Sequence, residues 1–288
     1  MFTNYLKIAF RNMRRNKLYT GINICGLAAG LACFILIALW IQDELSYDRF
    51  HENANEIYRI VYRNSDNFSA VTHYPLGEAL QKSFPEIENA IRIEGSPRML
   101  CRYENKVFYE DRIMLADPAL FDIFSFPFTR GNPESAFIKP GDLIITERMA
   151  AKYFGEEDPL GKTILINDQF PGIVTGVVQN VPANSHLQFD FLVPISILNL
   201  LGTDMNSWNS TGIYTYVQLD KRAELRDVEQ KLAGFLREFL PESETTITMQ
   251  PVTRIYLFSS GFEFDVPGLG DIRYVYIFSI IAVLILLI

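Results

Sequence analysis

Two uncharged apolar runs bracket a chain whose middle alternates in short periods. Residues 20–41 (TGINICGLAAGLACFILIALWI) hold 22 positions without a charge. A second run starts at Tyr274 (YVYIFSIIAVLILLI) and stays apolar for 15 positions to Ile288. A helix needs ~20 such residues to cross a hydrocarbon core of ~30 Å. The first run is therefore a predicted transmembrane helix. The second is the predicted start of another, and the chain reads as the front portion of a longer membrane protein. Ahead of the first run, Phe2, Leu6, Ala9 and Met13 share one helical stripe with Tyr5 and Phe10 beside it, while Lys7, Arg11 and Arg14 fall mainly to the other side. That is the pattern of a basic amphipathic helix lying in the headgroup region.

Between the runs, strand and helix periods alternate. Strands are predicted over 56–63, 87–93, 99–103, 106–109, 113–116, 143–145, 189–194, 214–219 and 245–250, with a hairpin of 163–166 and 172–178 around Asn167-Asp168. Helices are predicted over 75–84, 117–124 and 222–240, and from Thr146, as cap, to Phe154. In 222–240, Leu225, Val228, Leu232, Phe235, Leu236 and Phe239 follow helical spacing. The class is α+β, as one domain or two subdomains, with no internal repeat and no low-complexity linker.

Charge sets the orientation. Lys7, Arg11, Arg14, Arg15 and Lys17 precede the first run with no acidic residue, and all 34 acidic residues lie at or beyond position 43. From there on, 21 basic residues face those 34, a balance of −13 against +5 in the tail. Lys and Arg stay on the cytoplasmic side, so the segment 42–273 is expected outside. An acidic exterior argues against nucleic acid. A cleaved signal would show an apolar stretch of ~7–15 residues and a small-residue site. Here the run continues through Phe34-Ile35-Leu36-Ile37 to Trp40, which favours an uncleaved anchor. Inside it, Gly26 and Gly30 form a small-xxx-small step that lets a second helix approach closely.

Candidate chemistry adds little. Cys25 and Cys33 lie in the membrane run, and Cys101 is the only cysteine of the outer segment, so no internal disulfide is expected there. His51, His73 and His186 are scattered, without a second ligand at metal spacing. Gly161-Lys162-Thr163 resembles the end of a phosphate loop, but position 156 is Glu where the loop needs Gly, so a turn is expected. Ser185, His186 and Asp190 lack a glycine-framed nucleophile elbow. No catalytic, cofactor or metal residues are assigned.

Several strings carry a family resemblance. FTNYLKIAFRNMRRNKLYTGINICGLAAGLA, DELSYDRFHENANEIYRI, LIITERMAAKYFGEEDPLGKTILI, FPGIVTGVVQNVPANSHLQFDFLVP, QPVTRIYLFS and GDIRYVYIFSIIAVLILLI occur in this order. Together they resemble the membrane subunits of MacB/FtsX-like ABC transporters, particularly permeases common in the Bacteroidota. The resemblance implies a non-enzymatic permease of the inner membrane, N-terminus cytoplasmic, with no cofactor of its own. A separate cytoplasmic ABC ATPase would hydrolyse ATP, and the permease, as a homo- or heterodimer, would pass the motion to its periplasmic domain for export or efflux. A periplasmic adaptor is a further candidate partner. The expected division is an interfacial helix over 1–19, transmembrane helix 1 over 20–41, a periplasmic MacB-type core over 42–273 and the start of helix 2 over 274–288. The alternative is a membrane-anchored extracytoplasmic sensor.

Overall fold

The structure, a computed structural model, describes residues 2–64 and 67–287; the side chains of Phe2, Thr3, Leu6, Lys7 and Ala9 lie outside the described set. The chain divides into two compact units, one of residues 1–46 and 271–288, the other of residues 47–270.

The first unit is helical. Helix α1 (Phe2–Arg15) and α2 (Lys17–Glu44) are parted at Asn16, whose backbone is non-helical at φ −114°, ψ 59°. Helix α2 is long and apolar enough to cross a membrane. No polar face marks a side for it to bury, as expected where lipid surrounds a helix on most sides.

The second unit begins with β1 (Ile57–Asn64), β2 (Asn67–Ser69), β3 (Thr72–His73), α3 (Leu76–Ser83), β4 (Ile87–Gly95), β5 (Met99–Tyr103), β6 (Lys106–Glu110) and β7 (Ile113–Ala116). It continues with α4 (Leu120–Ile123), β8 (Phe128–Arg130), β9 (Asp142–Thr146), α5 (Glu147–Phe154), β10 (Thr163–Ile166), β11 (Phe170–Val178), β12 (Phe191–Pro194) and α6 (Ile197–Leu200). It closes with β13 (Thr211–Leu219), α7 (Leu225–Leu232), β14 (Thr246–Pro251) and α8 (Val252–Phe258). Helix α9 (Ile272–Leu287) returns the chain to the first unit, where its 16 residues fall short of spanning length.

One sheet runs through the second unit in the order β14-β1-β13-β4-β7-β12-β9-β11-β10-β5-β6, with β2, β3 and β8 added beside β1, β13 and β11. Two of its pairings are parallel, β7 with β12 and β9 with β11. Of these strands, β7, β9 and β12 read as continuous apolar runs (IMLA, LII, FLVP) because both of their faces are covered. Side chains pack into three clusters. Phe124, Phe189 and Tyr216 mark one, Tyr153, Phe191 and Ile213 a second, and Leu80, Val217 and Leu236 a third beneath α3 and α7.

The α+β class expected from the sequence is what the structure shows, and three local expectations change. The helix expected over 222–240 stops at Leu232; Gly234 is left-handed at φ 86°, and a 3-10 turn, Phe235–Glu238, follows. Glycine takes that conformation without strain, and the reversal still buries Val228, Leu232, Phe235 and Leu236 together. Thr146 stands at the N-cap position of α5 but makes no side-chain cap. Its hydroxyl donates to Asp190 Oδ1 at 3.2 Å, and Asn180 Oδ1 accepts from the amide of Arg148 at 2.9 Å instead. The helix after 117 shortens to Leu120–Ile123. The hairpin at Asn167-Asp168 is present, with both residues left-handed at φ 51° and 54°, as a primed turn requires.

One turn depends on a glycine outright. Gly131, at φ 89°, follows β8 so closely that a Cβ there would lie 2.5 Å from the carbonyl oxygen of Thr175. Gly131→Ala is expected to cost about 1–3 kcal/mol through strain and displacement of β8 from β11. A denaturant titration of the full chain checks it, and an unchanged midpoint would contradict this account.

Candidate functional site

The segment 47–56, which leads from the apolar helix into β1, carries no regular structure, so its backbone groups need other partners. Asp48 supplies the anchor. Its φ of 58° is one that Asp tolerates better than most residues, and its side chain is fully buried. The Asp48 amide donates to the carbonyl of Asn184 at 2.9 Å. Its Oδ1 accepts from the His186 amide at 3.0 Å and from the Ser185 hydroxyl at 3.3 Å. The Nδ1 of His186 stands 2.8 Å from the same oxygen, an ion-pair distance outside hydrogen-bond alignment. On the far side of that ring, Nε2 meets the hydroxyl of Tyr216 at 2.8 Å. Tyr216 is fully buried, and burial pushes its phenol well above the ordinary range.

His51 joins this group three residues after Asp48. Its Nδ1 accepts from the Ser125 amide at 3.1 Å, so the neutral ring carries its proton on Nε2, 4.0 Å from Asp48 Oδ1. Phe50, Phe124 and Phe126 surround the ring. Burial is the largest cause that lowers the His51 pKa to about 4; the Asp48 carboxylate opposes it and His186 adds to it.

A second buried charge fastens the last part of the unit. Arg59 lies in β1 between β13 and β14 and is fully buried. Its guanidinium holds Asp265 through both carboxylate oxygens, at 2.5 and 2.8 Å, and also reaches Gln250 Oε1 at 2.8 Å and Ser259 Oγ at 3.1 Å. Burial is the largest single influence and opposes the charge, but the hydrogen bond to Asp265, together with the fields of Tyr216, Asp265 and Tyr214, outweighs it, and the arginine pKa lies above its ordinary value. The Tyr214 hydroxyl donates to the Phe264 carbonyl at 3.1 Å, and Tyr47 stacks on Tyr256 with centroids 3.3 Å apart and planes within 5°. The two ends of the outer unit are therefore each tied into its sheet by buried polar groups and aromatic contact. A site of this kind can hold backbone segments rigidly and respond to protonation.

The sequence-derived residues fall elsewhere. Arg11, Arg14 and Arg15 are exposed on α1 and Lys17 is exposed at the start of α2; Lys7 lies on α1, with its side chain outside the described residues, as are those of Phe2, Leu6 and Ala9. A Cβ on Gly30 would lie 3.6 Å from Ile285 of α9, whereas one on Gly26 would meet nothing within 4 Å. Trp40 and Phe278 make a second contact between these helices, centroids 4.9 Å apart. Asp190 is separated from any triad role, since Arg148 holds both its oxygens at 2.5 and 2.7 Å. The turn expected at Gly161 is found, with φ 77°, and Lys162 pairs with Glu157. Cys101 is buried, and desolvation first and Glu110 second push its thiol up to about 12. Among the described residues, no group of three His, Cys, Asp or Glu is disposed to hold a metal.

Sequence reasoning missed Asp48, Arg59, Tyr216 and Asp265. The one local signal is the Asp-x-x-His spacing of Asp48 and His51 inside a polar stretch that follows an apolar run.

Known proteins place this architecture. A domain assigned to a permease protein of Porphyromonas gingivalis superposes with a TM-score of 0.60 at 23% identity, over 70% of this chain and 92% of that one. The periplasmic region of MacB from Actinobacillus actinomycetemcomitans superposes with a TM-score of 0.52 at 17% identity, over 68% of this chain and 89% of that one. At these identities the two show a shared fold. No match is found among curated proteins. The family description "MacB-like periplasmic core domain" matches residues 20–235, from within the apolar helix through α7 into the 3-10 turn. The chain belongs to the family of the MacB-like periplasmic core domain.

Proposed function

We propose that the chain is the permease subunit of an ABC-type export or efflux complex in the inner membrane, N-terminus cytoplasmic and residues 42–273 periplasmic. The observation that carries the reading is the family match itself, which takes in the apolar helix and most of the outer unit as one stretch. On this reading ATP is hydrolysed by a separate cytoplasmic ABC ATPase and the permease holds no cofactor. Two permease chains, alike or different, work together, and a periplasmic adaptor docks on the outer domain. The buried ties at Asp48 and Arg59 support a mechanical role: motion arriving at either end of the outer unit reaches its sheet without slack, because the segments are held by fully buried groups.

Topology tests this first. A cysteine placed at Asn105, in the exposed β5–β6 turn, is expected to react with a membrane-impermeant maleimide in spheroplasts. The native cysteines give a low background, since Cys101 is buried and Cys25 and Cys33 lie within α2. Protection of position 105, or failure of the full-length protein to copurify with an ABC ATPase, would overturn the reading. For the helices, replacing Gly26 and Gly30 with Leu is expected to leave ATPase binding intact and lower export per ATP hydrolysed, because backbones associate in lipid by close approach. Unchanged coupling would show that this face makes no working contact.

A further inference from the structure

A partly open, mostly apolar cavity borders the sheet, and none of the contacts above uses it. It has a volume of about 270 Å³ and lies against Ile113 and Leu115 of β7 and Val193 of β12, under Leu198 of α6, with Phe170 and Ile166 on another side. An apolar cavity of ~150 Å³ admits benzene, so this one accommodates a phenyl ring with a short chain. A single ionisable group, Glu94 of β4, lines it. Glu94 accepts from the Tyr74 hydroxyl at 3.0 Å, and among the described residues no Lys or Arg pairs with it. Arg92, two positions along the same strand, is committed to Asp117 by bonds of 2.8 Å.

We propose that this cavity binds a small apolar molecule bearing a protonated amine, whose ammonium pairs with the Glu94 carboxylate while its hydrocarbon body fills the space between β7, β12 and α6. A half-buried carboxylate without a cation is the acceptor that such a head would complete, and bonds to charged groups are the stronger kind. Burial, as the largest cause, already holds the Glu94 carboxyl above the usual carboxylate range, against the pull of Tyr74. An anionic head would meet like charge there. A neutral head would gain the apolar contacts alone. This site is independent of the transport reading, since it concerns the outer unit only and holds whether or not the ligand is cargo.

The test is calorimetric titration of the full chain in lipid nanodiscs with 4-phenylbutylamine, 4-phenylbutan-1-ol and 4-phenylbutanoate, with empty nanodiscs as the blank for partitioning. The amine is expected to give one saturable site per chain, at least tenfold tighter than the alcohol, with the anion weaker still. Glu94→Gln keeps an acceptor for Tyr74 and is expected to bind amine and alcohol alike. The proposal is overturned by the absence of saturable heat above the blank, or by an amine no tighter than the alcohol. It is equally overturned if the preference survives in Glu94→Gln, or if that variant loses the alcohol as well.

Discussion

Removing the Asp265 carboxylate, as in Asp265→Ala, is expected to destabilise the outer domain by about 3–5 kcal/mol, the range for stranding one member of a buried ion pair. The size follows from the surroundings of Arg59. Its side chain is 0% exposed and that of Asp265 is 7% exposed, so water cannot replace the lost partner. Gln250 and Ser259 keep two hydrogen bonds on the guanidinium but bring no charge. The same change frees the Val266 amide, which donates to Asp265 Oδ1 at 2.7 Å, so the segment before α9 loosens along with the pair. Replacing both charges with apolar groups of similar volume, Arg59→Met with Asp265→Leu, is expected to recover much of the loss, because no unpaired charge then remains. Amide exchange of β1 and β13 in the full chain reads both effects. A loss below about 1 kcal/mol in the single variant, in the range of exposed pairs, would mean that the pair is solvated in solution and fastens nothing.

Much of the architecture was legible because it rests on local patterns. The apolar run of α2, the amphipathic spacing of α3 and α5 and the Asn167-Asp168 hairpin each declare themselves within a few residues. Elements that were missed are short and stabilised from outside. Strands β2, β3 and β8 have two or three residues each, and α6 has four, lengths at which no period can show. Helix α8 begins directly after Pro251, and its buried Val252, Ile255 and Leu257 are explained only by the sheet beneath. The polar site was hidden for a different reason. Asp48 and His186 stand 138 positions apart, and Arg59 and Asp265 206 apart, so each partner looks like an ordinary surface charge in its own string. In the string EIYRIVYR, nothing local distinguishes Arg59 from Arg63. Arg59 is buried because β13 and β14 flank β1 and the 259–265 segment lies over the guanidinium.

Acid should weaken the outer domain through His51, with a window set by its own titration. In the unfolded chain the imidazole has its ordinary pKa of 6.5, while burial in the folded state lowers it to about 4. Below pH 6.5 the unfolded chain takes up a proton that the folded one refuses, so stability is complete above that pH and declines as pH falls to about 4. The shift corresponds to a loss of about 3 kcal/mol across the whole window. His73, also lowered by burial, adds in the same direction. Protonation would place a charge among Phe50, Phe124 and Phe126 and require Nδ1 to donate where the Ser125 amide already points its hydrogen. The Asp48 carboxylate, 4.0 Å away, offers partial compensation, and its single engaged oxygen is shared with His186 and Ser185. His51→Asn keeps an acceptor for that amide but cannot titrate. Urea unfolding of the two full-length proteins at pH 7.5 and pH 5 should therefore show a steeper loss in the native sequence than in the variant. Equal losses would place the pH response in other groups, His73 and the carboxylates among them, and leave His51 a packing group.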